Sequence, residues 1–164
     1  MVEVEPGVWQ GSRGPASDSD TLQYYGITQV LSITTVSLSP VRGMCRWWMA
    51  VDDGQPWTEM QIAFVRMFCQ FCLSIKCGFL IHCDHGSSRS AGAMVVWKMV
   101  SSGMDKHQAY MWVRNNNPYA NCRQEILDSL PDIHGGFTTD TVPEVKVRVL
   151  KDLPVDLNEE ILVA

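Results

Sequence analysis

Residues 82–90 read His-Cys-Asp-His-Gly-Ser-Ser-Arg-Ser, with a cysteine and an arginine six positions apart. A short apolar run, Gly78 to His82, precedes them, and an apolar segment of helical length, Ser90 to Ser102, follows. A loop set between a strand and a helix can curl its backbone N–H groups, here those of residues 84–89, around a dianionic phosphoryl group. The positive end of the helix dipole then points at the same spot. Gly86 permits torsions other residues resist. Arg89 offers a planar, two-pronged donor to two phosphate oxygens, which a lysine cannot match. The same electropositive concavity favours the thiolate form of Cys83 and makes it a nucleophile aimed at phosphorus. Asp84, His85, Gly86, Ser87, Ser88 and Arg89 are therefore the candidate phosphate-binding residues, and Cys83 and Arg89 the candidate catalytic ones.

The elements that must hold this loop follow from pattern. Val2 to Gln10 reads as a first strand, and Gly11 to Ser19, rich in Gly, Pro, Ser and Asp, as a break. Asp18 and Asp20 precede a short helix, Thr21 to Tyr25, closed by Gly26. Ile27 to Thr35 is β-branched and apolar, as a strand buried on both faces would be. Cys45 to Val51 is another strand, ending at the turn-like Asp52-Asp53-Gly54-Gln55-Pro56. Thr58 and Gln61 have capping-box spacing, and Ile62, Val65, Phe68 and Cys72 follow at helical intervals. Helices are expected from Asp105 to about Asn115, and from Gln124 to Leu130. The alternation implies an α/β domain over 1–130: a central, mostly parallel sheet of about five strands with helices on both faces. Residues 131–164 form a C-terminal extension without a clear pattern, in which Glu144 to Leu150 alternates like an edge strand.

Bulk properties narrow the partners. The chain of 164 residues is large enough to bury a core without metal or disulfides. Its formal net charge of −5 argues against nucleic acid or an anionic membrane as partner. No apolar run approaches a bilayer span and no apolar signal segment opens the chain. The six cysteines are expected to be reduced, in cytoplasm or nucleus. No histidine–carboxylate cluster with ligand spacing is present, so neither metal nor cofactor is expected.

His82-Cys83-x5-Arg89-Ser90 matches the signature of the cysteine-dependent protein phosphatases, and Ser88-Arg89-Ser90 resembles its dual-specificity variant. Val4 to Ser12, Tyr25 to Leu31 (Gly-Ile-Thr-Gln-Val-Leu) and Arg114 to Asn121 are similar to further segments of that group. The resemblance implies a protein-tyrosine-phosphatase-like fold and hydrolysis of phosphotyrosine and phosphoserine/threonine through a cysteinyl-phosphate intermediate, with a phosphoprotein as substrate. It also implies an aspartate, some thirty residues before the cysteine, that protonates the leaving oxygen. Asp52 lies 31 positions before Cys83, the family spacing, and is favoured; the pattern Ala50-Val-Asp-Asp53 read in the adjacent register favours Asp53. Ser90 would donate to the Cys83 sulfur as it departs, or cap the helix. His82 would orient the cysteine.

His85 departs from the family pattern. A His-Gly pair here is similar to metal-independent RNA 5′-triphosphatases, which share the thiolate but usually continue Asn-Arg-Thr and need basic surfaces. The loop lacks the lysines of phosphoinositide phosphatases. A non-catalytic phosphoprotein-binding module is the third reading, although such relatives normally lose the cysteine or the arginine. Cys77 or Cys45 is a candidate disulfide partner for an oxidised Cys83, whereas Cys69 and Cys72 read as core. Trp9, Trp47, Trp48, Trp97 and Trp112 read as packing residues.

Overall fold

Side-chain caps mark where the two amphipathic helices begin. In the computed structural model, which describes residues 1–132 and the short strand Glu160–Ile161, Thr58 accepts the Gln61 backbone N–H at 3.3 Å while the Gln61 side chain accepts the Thr58 N–H at 2.9 Å. This reciprocal cap starts α3 (Glu59–Ile75). Asp105 and Gln108 repeat the arrangement at the head of α5 (Lys106–Asn116). Asp18 caps α2 (Ser19–Tyr24) through the Asp20 N–H.

The first expected strand is two. Val2–Glu5 (β1) and Val8–Gly11 (β2) pair antiparallel about the turn at Pro6-Gly7. The supposed break after Gly11 contains a one-turn helix, α1 (Arg13–Ala16). The remaining strands are β3 (Ile27–Ile33), β4 (Cys45–Met49) and β5 (Gly78–His82), with β6 at Glu160–Ile161. The sheet runs β1-β2-β5-β3-β4-β6, and every pairing except β1–β2 is parallel. Parallel strands need crossovers, and α3 supplies the one between β4 and β5. α4 (Arg89–Ser102) and α6 (Gln124–Ser129) complete the described elements. Glu144–Leu150 lies outside the described residues, as does nearly all of the 131–164 extension.

Alternation along the strands divides the core. Leu31, Ile33, Phe79 and Ile81 pack with α3, α4, α5 and α6, while Val30 and Leu80 face Ala16 and Leu22 of α1 and α2. Trp47 sits among Phe64, Phe68 and Phe71. Trp9 and Trp97 are also buried, and Trp48 and Trp112 half-buried. α4 is buried on nearly every side, which explains its lack of a polar stripe. The centre of the sheet is thus β5 and β3, and β5 ends at His82, immediately before Cys83.

Candidate active site

β5 runs between β2 and β3, with His82 level with Gly11 and Ser32. His82 is fully buried. Its Nδ1 lies 3.3 Å from the Cys83 carbonyl oxygen, which can only accept, so the proton belongs on Nδ1. Nε2 then accepts the Ser32 hydroxyl at 2.7 Å. Burial pushes the His82 pKa down to about 4, so the ring is neutral near pH 7. A neutral imidazole of defined tautomer thereby ties the residue before Cys83 to the neighbouring strand.

Cys83 is buried, and the Gly86 N–H donates to its Sγ at 3.2 Å. Gly86 has φ +79°, and a Cβ there would lie 2.6 Å from the Gly11 carbon and oxygen. Both the torsion and the close approach to β2 demand glycine. Ser90 Oγ is 3.5 Å from the Cys83 sulfur. The cap position of α4 belongs to Ser88, whose side chain makes no cap bond, so the capping alternative for Ser90 is corrected. Ser90 lies inside the first turn, beside the sulfur.

Two groups that hold this loop are invisible in the motif. Gln10, on β2 and buried, donates from Nε2 to the Gly86 carbonyl at 3.1 Å and to Ser90 Oγ at 3.3 Å. Farther along the chain, the Asn121 N–H donates to the Ser87 carbonyl at 2.9 Å, and the Arg123 N–H to Ser88 Oγ at 3.2 Å. Cys122 lies between them, its thiol pushed up to about 12 by burial first and by the nearby Cys83 second. Only long-range contact places Gln10, and no local pattern signals it.

Arg89 is 3% exposed, an unusual burial for a guanidinium. Nη1 donates to the Val51 carbonyl at 2.8 Å and Nη2 to Asp84 Oδ2 at 2.7 Å. Asp53 Oδ1 lies 3.5 Å from Nε, an ionic contact without hydrogen-bond geometry. Asp84 also faces Arg13 at 3.7 Å, and the Arg13 N–H donates to its backbone carbonyl. An entering phosphoryl dianion would compete with Asp84 for Nη2. Ser87 is half-buried and Ser88 buried, whereas His85 is exposed at the rim.

The two candidate acids differ in surroundings. Asp53 has both carboxylate oxygens engaged, Oδ1 by Arg89 and Oδ2 by Arg123 Nη2 at 3.2 Å. Asp52 is exposed, and among the described residues it holds no ion pair. Cys77 and Cys45 stand toward the opposite end of the strands from Cys83, at about 20 Å and about 16 Å from the strand rise of ~3.3 Å per residue and the strand spacing of ~4.8 Å. These distances remove both as disulfide partners of Cys83 in the folded chain. Among the described residues no cluster of three or more His, Cys, Asp or Glu could hold a metal, and no helix is long and apolar enough to cross a membrane. A concavity of about 600 Å³ lies beside α5 and α6 and contains none of these groups. The chemistry, rather than the size of the hollow, identifies the site.

Comparison with known proteins agrees with this geometry. No protein-family model matches the chain. Dual specificity protein phosphatase 1 of Arabidopsis thaliana is 27% identical over 133 residues, covering 79% of this chain and 67% of that protein. Protein-tyrosine-phosphatase IBR5 of the same plant is 25% identical over 130 residues, covering 79% and 49%. The chain thus spans two thirds of one curated relative and half of the other. The crystal structure of human DUSP28 superposes with a TM-score of 0.70 at 20% identity, covering 79% of this chain and 92% of that one, which is a likeness of fold. The loop, the sheet order and these likenesses point the same way: over 79% of its length the chain is similar to dual-specificity and tyrosine protein phosphatases, and it shares the fold of a solved one.

Proposed function

We propose that this domain hydrolyses phosphotyrosine and phosphoserine/phosphothreonine in proteins. The observation that carries the reading is a buried sulfur at the head of α4 that accepts a backbone N–H and shares its loop with a buried arginine. Cys83 Sγ attacks phosphorus, forming an S–P bond as the P–O ester bond breaks. Backbone N–H groups of residues 84–89 and the Arg89 guanidinium hold the equatorial oxygens. Asp52 protonates the leaving oxygen. Water, deprotonated by the same aspartate, then attacks the cysteinyl phosphate, and the Ser90 hydroxyl donates to the departing sulfur.

Asp52 is assigned as the acid because Asp53 is already held by two guanidinium groups, and protonating it would weaken both ion pairs. The acidic net charge supports a phosphoprotein rather than an RNA substrate. The test is phosphate release from an aryl phosphate, phosphotyrosine and phosphoserine peptides, and a triphosphate-ended RNA. Wild type should hydrolyse the aryl phosphate and the peptides, Cys83→Ser should hydrolyse none of them, and Asp52→Ala should lose about 10²-fold or more on the phosphoserine peptide. Activity confined to the RNA would overturn the reading, and an Asp53→Ala variant that loses more than Asp52→Ala would reverse the acid assignment.

A further inference from the structure

Arg123 lies 70 residues from the turn at Asp53-Gly54, yet it touches both residues of that turn. Its Nη2 is 3.2 Å from Asp53 Oδ2. Its stem lies against Gly54, where a Cβ would come within 3.2 Å of Arg123 Cδ. Gly54 has φ +81°, so glycine serves the turn twice, by its torsion and by leaving room for the arginine. The backbone of the same residue meets the phosphate loop, with the Arg123 N–H on Ser88 Oγ. One residue therefore touches the phosphate loop with its main chain and the acid loop with its side chain.

We propose that Arg123 is a positioning residue that latches the 50–57 loop over the phosphate site and so sets the aim of the general acid. This rests on the phosphatase reading above. The latch works in series: Arg123 holds Asp53, Asp53 holds Arg89, and Arg89 holds the Val51 carbonyl. Asp52 lies between the two residues held in this way. The Arg123 and Asp53 side chains are 55% and 38% exposed, so their ion pair adds little to stability. What it supplies is geometry, because proton transfer in the transition state fails steeply with misplacement.

The consequence depends on the leaving group. A nitrophenolate leaves without protonation, whereas a serine alkoxide needs the acid. The experiment compares wild type, Arg123→Ala and Arg123→Lys on a nitrophenyl phosphate and on a phosphoserine peptide, with folding checked by circular dichroism. Arg123→Ala should lose about tenfold in kcat on the peptide and less than about twofold on the aryl ester. Lysine, which keeps the charge facing Asp53, should restore most of the loss. Equal losses on both substrates, or no loss on either, would overturn the latch. A wild type inactive on every phosphate ester would instead overturn the catalytic reading and the latch with it.

Discussion

Gln10 and Ser90, 80 residues apart, meet at 3.3 Å under the phosphate loop, and the same Gln10 amide holds the Gly86 carbonyl at 3.1 Å. By occupying a lone pair of the Ser90 hydroxyl, the amide leaves the hydroxyl proton free to turn toward the Cys83 sulfur. Gln10→Ala should therefore slow the second chemical step more than the first. Rapid-mixing kinetics with an aryl phosphate should show a burst of phenolate and then a steady state about tenfold below wild type. A fall in the burst rate equal to the fall in turnover would show that Gln10 acts only on the first step.

Gly86→Ala should disrupt the loop outright. The added methyl group would meet main-chain atoms of Gly11 at 2.6 Å, which no rotamer change can relieve, in a left-handed conformation that alanine resists. A loss of about 2–3 kcal/mol in urea unfolding is expected, together with loss of phosphate-ester hydrolysis. Wild-type stability in this variant would mean that β2 yields more easily than its place in the sheet implies.

Stability should fall on acidification through His82. Its folded pKa, about 4, is below the 6.5 of an unfolded histidine, so the unfolded chain takes up a proton the folded chain refuses. The loss begins as pH drops below about 6.5 and is complete near 4, for at most about 3 kcal/mol. Melting curves of wild type and His82→Gln across this window check it: the difference between them should narrow toward low pH. Parallel curves would place the acid sensitivity in other groups.

Thr58→Ala should cost about 1 kcal/mol of stability by leaving the Gln61 N–H without its side-chain acceptor. Because α3 begins just after the acid loop, peptide hydrolysis should fall further than aryl-ester hydrolysis. Urea unfolding and the ratio of the two activities measure the two effects separately.

Much of the fold was legible because its signals are local. Thr58-x-x-Gln61 and Asp105-x-x-Gln108 both form the caps their spacing predicts. Gly78–His82 and the helix after Arg89 follow from apolar runs and a terminating glycine. The α1 turn escaped because Gly14 and Pro15 read as breakers, whereas buried Ala16 and the bonds from Ser17 to Arg13 and Gly14 hold it closed. The split of the first strand lay in Pro6-Gly7, which a loose alternation hides. Gln10 and Arg123 carry no motif; their roles exist only when strands or loops 70 or more residues apart come together. Asp52 and Asp53 are near-equivalent in the sequence, and only their surroundings differ, Arg89 and Arg123 both pairing with Asp53.

The bonds from Asn121 and Arg123 to Ser87 and Ser88 bear on how short an active fragment can be. A chain cut after α5 would keep Cys83, Arg89, Ser90 and both aspartates, every reacting group, and also the whole of β1 to β5. It would lose the clasp that shapes the loop from the far side, and with it the packing of Ile126 against Gly92. Such a fragment would carry the reagents of the reaction without the mould that sets them.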